Sequence, residues 1–423
     1  MSSRTQIHTN QLSKLRTLIK ELDKGNAFYR PRLQEAGITD EISSLDEFTG
    51  KMGFTSKMDL VWDREEVLPY GSNLTYPLSQ YSRYSQSSGT TRGPLPWLDT
   101  NESWSAMLDC WDQVFRAAGV ETTDSIFFAF SFGPFLGFWT AYESATRRRN
   151  LSIPGGGLSS MARLRAIAAH RCDVLCCTPT YAMRLGELLE EQSNDEDMKS
   201  VALKKIIVAG EPGGSIPEVR EQISRLWRGA QVFDHHGMTE VGPVTYEDPA
   251  KPMSLCVIED AYIAEIIDRK TQKEVAEGER GELVLTTLNR IASPLLRYRT
   301  GDLVQKSYHN GQLCLEGGIL GRVDDMVVIR GVNVYPTAVE KVIRGFQDVA
   351  EFQVKQTTHQ SMAELEITLE PQKNIGNPEM LAKQVEKALQ DAFTLRIPVS
   401  CTAPGALPRF EFKSKRWVKE DKS

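Results

Sequence analysis

Apolar residues at helical spacing open the chain. Leu12, Leu15, Leu18, Ile19 and Leu22 fall on one face of a helix, and Gly25-Asn26 predicts its end. From about residue 100 to residue 290, helix-like and strand-like patterns alternate. The predicted helices cover 104–118, 162–170 and 217–227, and the predicted buried strands cover 125–130, 174–177, 205–208 and 231–234. This alternation predicts parallel strands with helices on both faces of the sheet.

The pattern changes twice toward the end of the chain. Residues 258–287 show strand–turn–strand spacing around a turn at 277–281, which predicts an antiparallel subdomain. After Gly321 a helix (337–346), two alternating strands (352–356 and 365–369) and an amphipathic helix through Leu381 follow. We therefore predict an α/β fold in two parts. A large N-terminal domain (1–321) has parallel sheets covered by helices plus a small antiparallel β subdomain, and a small α+β C-terminal domain (322–423) follows.

Length, charge and composition argue against a nucleic-acid-binding, a disulfide-rich or a membrane-spanning protein. A chain of 423 residues is too long for one core, and a net charge of -6 argues against nucleic acid as the main partner. Seven scattered cysteines do not indicate a disulfide framework, so we expect a reducing, cytoplasmic location. The polar first ten residues carry no apolar signal region. The most apolar stretch, 126–139, is shorter than the ~20 residues that span a bilayer, so no membrane partner is expected.

Four polar segments carry the chemistry. The first, 84–91, is rich in hydroxyls and glycine, which lets backbone N–H groups wrap a polyphosphate, although it lacks the Gly-Lys-Ser/Thr ending of a Walker loop. The second, 234–240, contains two histidines, a threonine and a glutamate. The third, 298–302, ends an apolar strand with a glycine turn and Asp302, a carboxylate suited to accept hydrogen bonds from ribose hydroxyls. The fourth, 321–325, reads Gly-Arg-Val-Asp-Asp.

Taken in this order, the four segments resemble the acyl-adenylate-forming (AMP-binding) enzymes, which join carboxylic acids to ATP and then to a thiol. The resemblance is to the phenylacetate–CoA ligase branch and covers nearly the whole chain. It implies that ATP or AMP, Mg²⁺ and CoA are the cofactors. The site residues that it implies for nucleotide and coenzyme are Ser87, Ser88, Gly89, Thr90, Thr91, Glu211, Pro212, His235, His236, Gly237, Met238, Thr239, Asp302, Arg322 and Gly331.

The resemblance also assigns individual roles. Thr239 contacts the α-phosphate, Glu240 holds Mg²⁺ and Asp324 is the hinge between the domains. Lys413 of the tail enters the active site as the catalytic lysine, and Lys415 is the reserve candidate. Segments that line the acid pocket in relatives match Phe132, Gly133, Pro134, Phe135 and Tyr181.

Two residue patterns depart from the family. The phosphate loop reads Thr91-Arg92-Gly93-Pro94, where the family has glycine directly after the second threonine, and His236 replaces the usual aromatic residue. His235 and His236 would also suit a metal pair, but adjacent side chains on a strand point to opposite faces, which favours the nucleotide role.

A structural zinc site is a further alternative. Some relatives carry a Cys/His/Glu cluster in this region, and Glu247, Cys256, His309 and Cys314 are the candidate ligands. Their spacing matches no finger-like pattern, and a free cysteine is often a small buried apolar residue.

The expected activity is an ATP-dependent ligation of an aryl or arylacetic acid to CoA through an acyl-AMP. Three alternatives stay open: an adenylyltransferase of the deazaflavin-coenzyme synthetase type, an enzyme that loads a carrier-protein phosphopantetheine, and a non-catalytic binding protein. By analogy with the family, a homodimer is expected.

Overall fold

The structure, a computed structural model, describes residues 4–87, 93–329, 332–359, 362–373, 375–410 and 414–420. The helices are α1 (Arg4–Gly25), α2 (Tyr29–Glu35), α3 (Leu45–Lys51), α4 (Lys57–Glu66), α5 (Asn101–Ala117), α6 (Leu136–Arg147), α7 (Ser160–Ala169), α8 (Pro179–Glu191), α9 (Glu196–Lys199), α10 (Pro217–Leu226), α11 (Pro336–Arg344) and α12 (Pro378–Phe393). Within these residues, no helix is long and apolar enough to cross a membrane.

The strands of the first half of the chain are β1 (Arg83–Gln86), β2 (Pro96–Asp99), β3 (Ser125–Phe128), β4 (Leu151–Pro154), β5 (Val174–Cys177), β6 (Lys205–Ala209), β7 (Gln231–His235), β8 (Gly237–Met238), β9 (Gly242–Pro243) and β10 (Thr245–Glu247). Those of the second half are β11 (Ser254–Val257), β12 (Tyr262–Ile267), β13 (Arg280–Thr287), β14 (Tyr298–His309), β15 (Gln312–Glu316), β16 (Gly321–Arg322), β17 (Val327–Ile329), β18 (Val332–Val334), β19 (Val349–His359), β20 (Met362–Pro371), β21 (Val399–Cys401) and β22 (Trp417–Glu420).

A parallel sheet of order β4-β3-β5-β6-β7 forms the centre of the N-terminal part. Its strands are apolar on both sides because alternate residues enter two different cores. Ile126 and Phe128 of β3 enter one core, and Phe127 enters the other. The sequence prediction of parallel strands covered by helices is confirmed. The apolar patterns did not predict α6 and α8, which follow β3 and β5.

An antiparallel sheet joins β10 to β16 in the order β10-β11-β15-β14-β13-β12, with β16 paired to β14. The predicted antiparallel subdomain is therefore confirmed. Helix α1 packs on this sheet, since its buried residues Leu15, Leu18, Ile19 and Leu22 share one core with the sheet.

The last hundred residues form a separate α+β unit. Its sheet has the order β21-β20-β19-β22, and β17 and β18 form a hairpin beside it. Val339 of α11, Val354 of β19 and Leu389 of α12 belong to a core distinct from the two N-terminal ones. The fold class predicted from the sequence is confirmed, while the domain boundary at residue 321 stays a prediction.

Candidate active site

Asp302 and Arg322 lie side by side at one end of the antiparallel sheet. They are directly opposite each other in the pairing of β14 with β16, and Arg322 Nη1 donates to Asp302 Oδ1 at 2.8 Å. Gly301 has φ 78°, and a Cβ there would lie 2.8 Å from Arg322 Nη2. Glycine is needed at this position for both reasons, since L residues rarely adopt that φ. Burial opposes the charge of Arg322, but Asp302 and two neighbouring aspartates raise its pKa.

The second oxygen of Asp302 faces His236. Asp302 Oδ2 and His236 Nε2 are 3.3 Å apart, and both are buried without a hydrogen-bond partner among the described residues. Buried polar atoms in native proteins almost always have partners, and these two lie within ion-pair distance of each other, so a proton on His236 Nε2 or a ligand hydroxyl between them would supply the missing bonds. A pair of ribose hydroxyls, which both donate and accept, suits this position.

Glu240 is buried, with a 4% exposed fraction, and like Asp302 and Arg322 it acts electrostatically on the buried Tyr298. Lys57, the first residue of α4, places its Nζ 3.1 Å from Glu240 Oε1. Ser56 and Asp59 form a capping box that fixes the start of α4 and therefore the base of the Lys57 side chain. The sequence analysis missed Lys57. The Ser-x-x-Asp cap was a local signal for the helix start, but nothing in the sequence linked it to Glu240.

Arg290 fixes the backbone of the Thr239–Glu240 loop through hydrogen bonds to its carbonyl oxygens. Its Nη1 donates to the carbonyl oxygens of Thr239 and Glu240 at 2.8 and 2.9 Å, and its Nε and Nη2 donate to the two oxygens of Asp99 at 2.7 and 2.6 Å. The Arg290 and Asp99 side chains are 2% and 0% exposed. Because Asp99 ends β2, this pair connects the β1–β2 hairpin to the loop that carries Thr239. No sequence signal linked residues so far apart.

His235 and Asp234 have different surroundings from His236. Burial lowers the pKa of His235 to about 3, so the ring is neutral, and its protonated Nδ1 donates to the Thr245 carbonyl at 2.6 Å. Its ring lies 4.3 Å from that of Trp111. Burial also raises the pKa of Asp234 to about 6, while Ser215 donates to its Oδ2 at 2.6 Å. The two histidine rings therefore make separate contacts, and His235 contributes to the loop through core packing.

The other positions that were predicted to contact the nucleotide lie in the loop after β7 and in the β1–β2 hairpin. Gly237 and Met238 form β8, which pairs with β9, and a Cβ at Gly237 would lie 2.9 Å from the Gly242 carbonyl. Ser87 is buried, and its hydroxyl accepts from the backbone N–H of Leu95 at 3.1 Å, which closes the base of the hairpin. Ser88, Gly89, Thr90, Thr91, Gly331 and Lys413 lie outside the described residues.

Glu211 uses both of its carboxylate oxygens. Oε1 accepts from the backbone N–H of Thr180 at 2.9 Å, and Oε2 accepts from the backbone N–H of Ser414 at 2.8 Å. The neighbouring Pro212 is exposed. The side chain of Glu211, predicted from the resemblance to contact nucleotide, therefore connects α8 to the C-terminal tail.

An aromatic group lies after β3, where the acid pocket was predicted. Phe132, with φ 49°, places its ring 5.1 Å from Trp139 and 5.4 Å from Tyr142, and Phe130 and Phe138 stack at 4.0 Å. The Gly133–Phe135 segment contacts the β1–β2 hairpin, since Gln86 donates its backbone N–H to the Pro134 carbonyl at 2.8 Å. Helix α6, which carries Phe138, Trp139 and Tyr142, packs against β8 and β9. The aromatic group therefore also lies near the nucleotide loop, the segment around Thr239 and Glu240 between these two strands.

Tyr181 is not part of this group. It is 1% exposed, belongs to the core on the other face of the parallel sheet, and shares a 3.0 Å hydrogen bond with Ser160. The structure therefore does not bring Tyr181 together with Phe132, although the sequence analysis placed both in one pocket.

Asp324 lies in a short 3₁₀ turn between the two parts of the chain. The turn, Val323–Asp325, follows β16, the last strand of the antiparallel sheet, and precedes β17 of the C-terminal unit. The Asp324 side chain is 75% exposed. A short exposed connection between two separate cores suits a hinge, the role predicted for this residue.

The structure gives the four candidate zinc ligands other partners. Cys256 and Cys314 are opposite each other in the pairing of β11 with β15 and form a disulfide, so neither offers a thiolate. Glu247 accepts from Arg220 at 2.7 Å, and His309 Nε2 lies 3.5 Å from Asp248. No group of three or more candidate metal ligands occurs in the part of the chain that the structure describes. The cysteine count did not predict this disulfide, because strand register decides which cysteines meet.

Two family models match the chain. The AMP-binding enzyme model covers residues 88–289, and the model of the AMP-binding enzyme C-terminal domain covers residues 331–420. Among curated proteins, the phenylacetate-coenzyme A ligase of Pseudomonas putida is 29% identical over 419 residues, which span 96% of this chain and 93% of that protein.

The similar solved structures include two states of one enzyme. A 2-hydroxyisobutyryl-CoA ligase in the postadenylation state with 2-HIB-AMP is 25% identical, with a TM-score of 0.88 over 97% of this chain and 89% of that one. The same enzyme with 2-HIB-AMP and CoA in the thioesterification state gives a TM-score of 0.69 at 25% identity, over 98% and 90% of the two chains. The whole chain therefore resembles the postadenylation arrangement more than the thioesterification arrangement.

Proposed function

Because this chain belongs to the family of AMP-binding, acyl-adenylate-forming enzymes, we propose that it is an ATP-dependent acid–CoA ligase. The observation that carries the proposal is the facing pair of buried atoms, Asp302 Oδ2 and His236 Nε2, together with the buried carboxylate of Glu240, which like Asp302 acts electrostatically on Tyr298. In this arrangement Asp302 and His236 offer hydrogen-bond acceptors to the hydroxyls of a ribose, and Glu240 offers a negative charge to a metal ion bound to phosphate.

In the first half-reaction the carboxylate oxygen of the acid attacks the α-phosphorus of ATP. The bond between that phosphorus and the oxygen that bridges to the β-phosphate breaks, which gives acyl-AMP and pyrophosphate. In this proposal Asp302 and Arg322 orient the ribose and Thr239 contacts the α-phosphate. Lys413 stabilises the negative charge that develops between the carboxylate and the phosphate.

Glu240 fits a magnesium ion. Mg²⁺ is usually held by one or two protein carboxylates together with substrate phosphates and water, so a single buried glutamate suffices. When bound, the ion would neutralise charge on the phosphates. Lys57 contacts the same carboxylate at 3.1 Å and supplies positive charge to the site in its own right.

In the second half-reaction the thiol of CoA loses its proton to solvent and its sulfur attacks the acyl carbon. The bond from that carbon to the AMP oxygen breaks, which gives a thioester and AMP. The small C-terminal domain rotates about Asp324 between the two steps, which withdraws Lys413 and gives the thiol access.

For the acid, we propose an aryl or arylacetic compound. Support comes from the aromatic rings of Phe132, Trp139 and Tyr142, which lie next to the nucleotide loop. Aromatic rings prefer edge-to-face or offset contacts with one another, and an aryl acid can join such a group. We also propose CoA rather than a carrier protein as the acceptor, and a homodimer, on the strength of the family resemblance. A cytoplasmic location is proposed because five of the seven cysteines are free, although Cys256 and Cys314 form a disulfide.

Pyrophosphate release tests the proposal. The purified chain would be incubated with ATP, Mg²⁺ and a panel of aryl, arylacetic and aliphatic acids, with and without CoA. We expect release that depends on an aryl or arylacetic acid, and a thioester only when CoA is present. Release that never leads to a thioester would favour an adenylyltransferase, and ATP binding without release for any acid would favour a non-catalytic relative.

A change at Glu240 tests the metal assignment. Glu240→Gln is expected to raise the Mg²⁺ concentration for half-maximal acyl-AMP formation by about tenfold or more, because the amide keeps the shape but loses the charge that Mg²⁺ prefers. The same shift should occur when ATP binding is titrated with Mg²⁺ in the absence of acid. Glu240→Asp, which keeps the carboxylate, is the matched control. An unchanged Mg²⁺ dependence in Glu240→Gln would remove Glu240 from the metal site.

A further inference from the structure

The C-terminal tail is tied to the N-terminal part next to the predicted catalytic lysine. The backbone N–H of Ser414 donates to Glu211 Oε2, whose other oxygen accepts from the backbone N–H of Thr180. Glu211 follows the end of β6, and Thr180 is the second residue of α8. The carboxylate of Glu211 therefore joins the tail to the carboxyl edge of the parallel sheet.

Two residues further on, Arg416 makes a second connection. Its side chain is 3% exposed, and its Nη1 donates to Thr180 Oγ1 at 3.3 Å and to Glu340 Oε1 at 3.0 Å. Its Nε and Nη2 donate to the two oxygens of Glu351 at 2.7 and 3.1 Å. Glu340 on α11 and Glu351 on β19 hold the guanidinium of Arg416 within the C-terminal unit. Among the described residues of the N-terminal part, Thr180 is the hydrogen-bond partner of Arg416.

The surrounding interface is charged rather than apolar. A shallow cleft lies between α8 and the C-terminal unit, and charged side chains such as Arg184, Glu187 and Arg409 contribute to its lining. Polar interfaces of this kind are typical of domains that move relative to each other.

From these contacts we infer that Thr180, Glu211 and Arg416 form a tail clamp that holds the C-terminal unit in the arrangement used for adenylation. The inference rests on the proposed function, and the three are positioning residues, since they act through the tail that carries Lys413. The higher TM-score to the postadenylation state of the hydroxyisobutyryl ligase supports this assignment of the arrangement. The clamp has to open before the thioester forms, so it favours the first half-reaction over the second.

Thr180→Val tests the clamp without a large change of volume, because valine keeps the shape and removes the acceptor for Arg416. We expect acyl-AMP formation to slow by roughly tenfold, since hydrogen bonds to charged groups are among the stronger ones and a smaller fraction of molecules would hold the clamped arrangement. Thioester formation from supplied acyl-AMP and CoA should be unchanged or faster. Thr180→Ser, which restores a hydroxyl, should return acyl-AMP formation to near the wild-type rate.

A second measurement does not depend on activity. Trypsin should cut the tail after the exposed Lys415 faster in Thr180→Val than in wild type or Thr180→Ser, because the tail is released more often. Arg416→Lys should likewise slow acyl-AMP formation and speed up cleavage of the tail, and its thermal unfolding would be followed to check that the C-terminal unit is folded.

Two results would contradict the proposed clamp: an equal loss of both half-reactions in Thr180→Val, or rates of acyl-AMP formation and of cleavage that do not change. If wild type adenylates no acid, the proposed function fails, and the cleavage rates still decide whether the clamp exists.

Discussion

Replacing Lys413 by alanine is expected to slow acyl-AMP formation by about 10²–10³-fold, the loss typical when one preorganised charge-stabilising group is removed from a transition state. Thioester formation from supplied acyl-AMP should be spared, because the proposed mechanism withdraws Lys413 before the thiol attacks. Rapid-quench measurement of each half-reaction separates the two steps. The backbone N–H of Ser414, the next residue, is 2.8 Å from Glu211 Oε2, so the tail at Ser414 lies at the carboxyl edge of the parallel sheet.

Lys415→Ala is the matched control for this experiment. Lys415 lies two residues further along the same tail and is exposed, so its removal should leave both half-reactions close to wild type. If both half-reactions fall equally in Lys413→Ala, the lysine does not act in adenylation alone. If Lys415→Ala instead shows the selective loss, the catalytic role belongs to Lys415.

Replacing Asp302 by alanine is expected to raise the apparent KM for ATP by roughly ten- to a hundredfold, because charge-assisted hydrogen bonds to the ribose are lost. Arg322, which donates to Asp302 Oδ1 at 2.8 Å, would also lose the partner that fixes its orientation. Initial rates of pyrophosphate release at varied ATP give the KM, and titration calorimetry of ATP binding gives an independent value.

Asp302→Asn separates the loss of the hydrogen bonds to the ribose from the loss of the partner of Arg322. Asparagine keeps one acceptor oxygen and the shape of the side chain, so we expect an intermediate KM for ATP. The KM for the acid should stay near the wild-type value in both variants. An ATP dependence that does not change in Asp302→Ala would remove this residue from the ribose site.

Local patterns determined much of the fold. The strand 174–177, the alternation of helices and strands and the end of α1 at Gly25 were predicted close to the bounds that the structure has, whereas α1 begins at Arg4, before the apolar stripe. Helical and strand periods and turn residues are properties of neighbouring positions, which a sequence contains directly. The glycine turn predicted at Gly301 is the exception, because Gly301 and Asp302 lie within β14, where its pairing with β13 is interrupted by a register shift.

Only the tertiary structure decided which distant side chains meet. Lys57 pairs with Glu240 across 183 residues, Arg290 pairs with Asp99 across 191 residues, and strand register joins Cys256 to Cys314. Tyr181 lies on the opposite face of the parallel sheet from the aromatic group because it belongs to α8, which packs into the other core. Contacts of this kind depend on how completed helices and strands pack, and the order of residues along the chain does not contain that information locally. The sequence by itself therefore determined the fold class and the chemistry of the motifs, whereas packing and register determined which residues hold those motifs in place.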